Sequence, residues 1–188
     1  MAVRIEKTFE TTHPIDLVWK MLSDPRKVVS CVPGAQITGA IDDRNFKGSI
    51  RLKIGPSVNE FKGEVHIDRL DEQAHEIEMS GQGQDVRGKG SASMKLRGAL
   101  AALADGGTQV RAVSEVTVVG ILAQFGARMM SDVSDVLFKE FTTRFQHLLD
   151  APDEPQAPAG PANAVKLAGS VLGHSIRRVL GSDDDKPE

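Results

Sequence analysis

Val86-Arg87-Gly88-Lys89-Gly90-Ser91-Ala92-Ser93-Met94-Lys95-Leu96 alternates along its whole length, with Val86, Gly88, Gly90, Ala92, Met94 and Leu96 on one face and Arg87, Lys89, Ser91, Ser93 and Lys95 on the other. A period of two is that of a half-buried strand. The face that ought to fill a core carries glycine and alanine where bulk is needed. Glycine weakens a strand interior unless another backbone or a ligand must approach closely. The preceding run puts Ile77, Met79, Gly81 and Gly83 on one face, and the following run sets Ala112 and Ser114 between Val110 and Val116. Several neighbouring inner positions thus give up volume. The pattern points to an apolar cavity beneath a covering element more than to a catalytic surface.

Outward from this run, the chain reads as one succession of elements. Val3, Ile5, Lys7 and Phe9 alternate with charged residues as a first strand. Thr12 is the expected cap of a short helix, with Pro14 in its first turn and Ile15, Val18, Trp19 and Leu22 as its apolar stripe. Asp24-Pro25 breaks that helix before a second short piece through Val28 and Val29, and Val32-Pro33-Gly34 releases the chain into sheet. Turn chemistry at Asp42-Asp43, Gly55-Pro56, Leu70-Asp71-Glu72 and Asp105-Gly106-Gly107 then divides an antiparallel meander with one wet face. Its inner positions include Phe46, Gly48, Ile50, Leu52 and Ile54 on one strand, and Phe61, Val65 and Ile67 on the next. After Gly120 the period becomes helical, with Leu122, Phe125, Met129, Val133, Phe141, Phe145 and Leu148 on one stripe. Roughly thirty residues would give a helix ~45 Å long. The fold class is therefore α+β, a curved sheet wrapped around a long helix.

Composition narrows the function. The chain has 188 residues and a formal net charge of -3, so no basic excess exists to displace counterions from nucleic acid. A single cysteine, Cys31, cannot form an internal disulfide, which makes a cytoplasmic setting the expectation. The N-terminus alternates like a strand, with no signal-like apolar run, and no stretch approaches the ~20 apolar residues needed to span a bilayer. Aromatic residues make up 4 % of the chain, so aliphatic and Met side chains must line any pocket.

Residues 1–150 read as the ligand-binding domain. Pro152, Pro155, Pro158 and Pro161 make residues 151–162 a linker that does not propagate a helix. Asn163 is the expected cap of an amphipathic helix over residues 163–181, and residues 182–188 form an acidic, disordered end. Val165, Leu167, Ala168, Val171, Leu172, Ile176, Val179 and Leu180, with Lys166, Arg177 and Arg178, are the expected membrane contacts. Gly169 and Gly173 each cost such a helix roughly 1 kcal/mol, so it needs a surface to form on. A groove on a partner protein is the competing surface.

No catalytic signature emerges. His13, His66, His75, His147 and His174 lack ligand spacing, no metal site is expected, and no Gly-x-Ser-x-Gly elbow supplies a nucleophile. Gly81-Gln82-Gly83 and Gly88-Lys89-Gly90 sit in strand-like runs, not before a helix as a phosphate loop would. Glu60, Glu64, Glu76 and Glu78 fall on outer faces as solvated charge. Asp85 could orient a polar ligand head, although a turn role is the commoner one for an aspartate in that setting. The candidate cavity lining is Phe46, Phe61, Met79, Met94, Leu122, Phe125, Met129 and Val133, with Gly88 and Gly90 providing room.

Pro14-Ile15-Asp16-Leu17-Val18-Trp19, Asp24-Pro25, Cys31-Val32-Pro33-Gly34, Gly55-Pro56 with Phe61-Lys62-Gly63, Gly81-Gln82-Gly83 with Asp85-Val86-Arg87-Gly88, and Leu122-Ala123-Gln124-Phe125-Gly126 follow one another in order. Together they resemble the carbon monoxide dehydrogenase G-subunit family, a branch of the START/polyketide-cyclase-like helix-grip superfamily, over residues 1 to about 149. The resemblance implies a helix-grip fold, a seven-stranded antiparallel sheet around the C-terminal helix with an apolar cavity between, and no intrinsic catalysis. It also implies an accessory role beside a molybdenum-containing dehydrogenase, carriage of a respiratory quinone of menaquinone or ubiquinone type with no covalent cofactor, and peripheral attachment to the inner face of the cytoplasmic membrane. A ligand-free maturation or recruitment factor is the second reading, and a cyclase-like enzyme the third.

Overall fold

The computed structural model describes residues 1–54, 57–152, 160 and 162–163. Strand β1 (Ala2–Thr11) keeps the expected phase, with Val3, Ile5, Lys7 and Phe9 more covered than their neighbours. Helices α1 (Ile15–Leu22) and α2 (Pro25–Cys31) follow. Pro14, not Thr12, occupies the cap position of α1, and no side chain caps that helix. Thr11 instead takes the His13 N–H at 3.3 Å, which turns the chain before the helix begins. α2 starts as expected: the Asp24 side chain accepts the Arg26 N–H at 2.9 Å and Pro25 fills the first turn, where its missing donor costs nothing. Gly34, at φ 74°, makes the turn into the sheet.

The meander comprises β2 (Ala35–Ala40), β3 (Asn45–Ile54), β4 (Ser57–Asp71), β5 (Glu76–Asp85), β6 (Gly90–Ala102) and β7 (Thr108–Gly120). The seven long strands run in the order β1-β7-β6-β5-β4-β3-β2, and each adjacent pair is antiparallel. One expectation fails at the start of the glycine-rich run. β5 ends at Asp85 and β6 begins at Gly90, so residues 86–89 form the hairpin turn and alternate only by coincidence.

Beyond β7 the chain makes a 3-10 turn (Ile121–Phe125) and then α3 (Gly126–Asp150), which has 25 residues and is shorter than expected. Gly120 at φ 86° and Gly126 at φ 77° bracket the 3-10 turn and prevent one continuous helix. A two-residue strand β8 (Ala162–Asn163) then pairs in parallel with Leu52 and Lys53 of β3. It uses the stretch of β3 edge beyond Ile50, where β2 has not yet begun. Asn163 is therefore in a strand, not at a helix cap; the expected tail contacts, Val165 to Leu180, lie outside the described residues.

The core is uneven. Val18, Trp19, Met21, Cys31, Leu100, Val110, Phe145, Leu148 and Leu149 form a dense cluster where α1 and α2 meet the C-terminal half of α3. Phe9 packs edge-on against Phe138, Phe141 and Phe145, and Phe141 stacks on Phe145 with centroids 5.5 Å apart. Burial here pushes the Cys31 thiol above its ordinary pKa. Toward the N-terminal half of α3, among the described residues, Phe61 and Val118 form a second, smaller buried cluster, flanked by Ile50, Ala92, Val116 and Met130. Among the described residues no helix is long and apolar enough to cross a membrane.

Candidate functional site

Register places the small residues in one transverse row. Gly48 pairs with Gly63, Gly63 with Gly83, Gly83 with Ala92, and Ala92 with Val118, so the row crosses β3 to β7 on the face toward α3. These positions are small for two different reasons. A Cβ on Gly63 would lie 1.8 Å from the Gln82 carbonyl oxygen, and one on Gly90 would lie 2.1 Å from that of Val119. There the bare backbone admits a neighbouring strand. At Gly81 and Gly83 a Cβ would meet its nearest atoms at 3.5 and 3.4 Å, so those positions leave the inner face shallow without being required by strand contact.

The lining expected from sequence is only partly assembled. Phe46, Phe61 and Val133 are buried on the sheet–helix side, while Met79, Met94 and Met129 are half-buried. Inner-facing Val65, Ala92 and Val116 also retain accessible surface, as does Met130 on α3. Gly88 is a correction: it sits exposed in the β5–β6 turn at φ 72° and faces no chamber. Gly90 is another, since the space beside it is taken by the Val119 carbonyl. Leu122 and Phe125 belong to the 3-10 turn, not to the α3 stripe, and their side chains lie outside the described residues.

One end of this face is polar. Asp85 stands opposite Phe61, and Asn59 is the next residue on the same side of β4. Their outward neighbour Glu60 instead meets Arg51 at 3.0 Å. Asp85 and Asn59 are 4 % and 3 % exposed. The Asp85 Oδ1 accepts the Arg87 and Lys89 N–H groups at 2.9 and 3.2 Å, which holds the β5–β6 turn and is the commoner role expected of it. The Asp85 Oδ2 and the Asn59 Nδ2 are enclosed and have no hydrogen-bonding partner among the described residues. Asn59 is not among the residues expected from sequence. An amide in phase with Phe61, Val65 and Ile67 was the available signal.

The outside of the same end is apolar and basic. Val58, Val86, Val119 and Ile121 are between 43 and 57 % exposed. They lie at the β3–β4 and β5–β6 hairpins and the end of β7, where the Ile121 N–H donates to the Lys89 carbonyl at 2.9 Å. Lys53, Lys89, Arg87 and Arg128 occupy that end as well. Two open grooves, of about 470 and 380 Å³, lie on the opposite, convex face, lined by side chains such as Lys62, Gln82 and Ser93 or Arg69, Glu78 and Arg97. Neither coincides with the sheet–helix space. No group of three His, Cys, Asp or Glu able to hold a metal occurs among the described residues.

Comparison with known proteins agrees with this architecture. The model of the CoxG family, described as the G-subunit of carbon monoxide dehydrogenase, matches residues 8–149. A conserved protein from Geobacillus kaustophilus is similar in structure at a TM-score of 0.71 and 19 % identity, over 79 % of this chain and 95 % of that one. A START superfamily protein from Mycobacterium smegmatis aligns at 0.55 and 13 % identity, covering 78 % and 97 % of the two chains. The ZhuI aromatase/cyclase from Streptomyces sp. R1128 aligns at 0.52 and 12 % identity, covering 79 % and 92 %. These likenesses establish the START-like helix-grip fold. No curated protein sequence matches the chain.

Proposed function

Because the chain belongs to the CoxG family of carbon monoxide dehydrogenase, we propose that it is a non-catalytic accessory protein that holds a quinone-like lipid between sheet and helix. Its partner is a molybdenum-containing dehydrogenase of the carbon monoxide dehydrogenase type, and its working place is the inner face of the cytoplasmic membrane. The observation that supports this reading is the half-buried Met79 and Met94 beside a shallow floor of Gly81, Gly83 and Ala92, with Met130 of α3 packed at the neighbouring Phe61–Val118 cluster. Inward-facing aliphatic surface left uncovered in this way is stabilised by a hydrocarbon ligand at ~25 cal/mol per Å². Methionine suits such a wall because its unbranched thioether adapts to irregular shapes. The exposed Val86, Val119 and Ile121 beside Arg87 and Lys89 fit an anionic bilayer as the surface from which the lipid is drawn.

The absence of catalysis belongs to the proposal, since the same fold also serves an aromatase/cyclase. It is supported by the inner face: of the buried polar residues Thr11, Asn59, Asp85 and Thr108, the two threonines are engaged at the far end by Gln146 and the His13 carbonyl. No acid–base pair with a bonded nucleophile is formed by the other two. Organic extraction of the purified full chain followed by mass spectrometry tests the reading. An isoprenoid quinone in near-stoichiometric amount is expected; a lipid-free protein that takes up no added quinone favours a ligand-free recruitment factor.

A further inference from the structure

Buried polar groups are almost always hydrogen-bonded, and each enclosed exception calls for an explanation. Here two such exceptions, one donor and one acceptor, occur together. Asn59 Nδ2 and Asp85 Oδ2 lie on the same face, on neighbouring strands and one diagonal step apart in register. Diagonal neighbours across an antiparallel pair are separated by roughly 7–8 Å at Cα, close enough for both side chains to reach one oxygen placed between them. The apolar wall begins beside them at Phe61, Ile50 and Val118.

We propose that Asn59 and Asp85 form a hydroxyl-recognition site at the end of the chamber, in which Asn59 Nδ2 donates to a ligand oxygen and Asp85 Oδ2 accepts that oxygen's proton. The inference rests on the apolar chamber proposed above and specifies the ligand class it takes: an apolar molecule ending in an alcohol or phenol. A carbonyl or ether oxygen satisfies Asn59 alone and leaves Asp85 facing another acceptor. Of a quinone couple, therefore, the hydroquinone is the form that fits. Asp85 can serve both the turn and the ligand because its two oxygens are already divided, with Oδ1 committed to Arg87 and Lys89.

The test titrates the full chain with 1-naphthol, 1-methoxynaphthalene and 1,4-naphthoquinone by displacement of a fluorescent apolar dye. On the unaltered protein 1-naphthol is expected to bind at least about tenfold tighter than either analogue, since a site built to bond a hydroxyl rejects the molecule lacking it. Asp85→Asn should reduce that ratio to below about threefold, because its amide then donates to an ether or carbonyl oxygen, and Asn59→Leu should weaken 1-naphthol and 1-methoxynaphthalene alike. Asp85→Asn keeps the oxygen that holds the turn. Asn59→Leu removes an unsatisfied donor and is expected to raise the ligand-free melting temperature, so loss of binding cannot be ascribed to unfolding. Equal binding of all three probes, unchanged in both variants, overturns the hydroxyl site and leaves the chamber standing; the pair would then hold an ordered water only. Failure of every probe to bind removes the chamber and this inference with it.

Discussion

At the scale of single residues, glycines that look alike in sequence do different things in the fold. Gly81 has an unstrained backbone, and a methyl group there would meet its neighbours at ordinary van der Waals distance, 3.5 Å or more, so Gly81→Ala should raise unfolding free energy by about 0.5–1 kcal/mol through lost freedom of the unfolded chain. Gly90, at φ 151° and against the Val119 carbonyl, should lose at least about 2 kcal/mol on the same change. Urea denaturation of the two variants measures the contrast, and equal effects would contradict it. The acidic turn residues give a second prediction. The Arg44 N–H and then the Asn45 side chain hold the Asp42 carboxyl below its ordinary pKa, and the Ala74 N–H and Arg69 do the same for Asp71. A carboxylate depressed in the folded state adds stability above its unfolded pKa, and that contribution fades as pH falls through the folded value. Asp42→Asn and Asp71→Asn should therefore lower stability near pH 7, where the contribution is fully present, and change little once pH has fallen below the folded value, which flattens the fall in stability below about pH 4. Sequence phase revealed Phe46, Phe61, Met79 and Met94, because alternation reports a face directly. It misassigned Gly88, since a tight turn also alternates for four residues, and it passed over Asn59 because one amide in phase with an apolar face does not reveal whether its position is enclosed.

At the scale of elements, α3 is held firmly at one end and lightly at the other. Phe145 is fully enclosed between Phe9 and Phe141, so Phe145→Ala should cost about 3–5 kcal/mol. Met130 borders the small Phe61–Val118 cluster and is half-buried, and Met130→Ala should cost about 1 kcal/mol. Hydrogen exchange should show the same polarity, with amides near Phe145 protected far longer than those near Met130. Similar costs at both positions would mean that the sheet–helix space is packed as a continuous core. The stripe from Met129 to Leu148 was readable because helical period and apolar spacing coincide there. The break at Gly126 was not, since a positive φ leaves no mark that separates it from any other glycine.

At the scale of the whole molecule, the end that carries the orphaned polar atoms also carries exposed aliphatic and basic side chains. Val119→Asp together with Ile121→Asp in the full chain should weaken flotation with anionic vesicles by about tenfold, roughly 1.4 kcal/mol, without lowering the melting temperature. Binding that survives both changes, but disappears when residues 164–188 are deleted, would assign the attachment to the tail alone. The order of strands and closing helix was legible in turn residues and period; the gathering of Val58, Val86, Val119 and Ile121 was not, because they are distant in the chain and meet only through register. The small parallel pairing of Ala162 and Asn163 on β3 fixes where the remaining chain departs. That exit lies at the pole of the Asn59–Asp85 pair, far from the end of α3, where Asp150 meets His13 at 2.8 Å. Whatever residues 164–188 grasp is thus tethered next to the Asn59–Asp85 pair, so capture by the tail would aim that pole at its source.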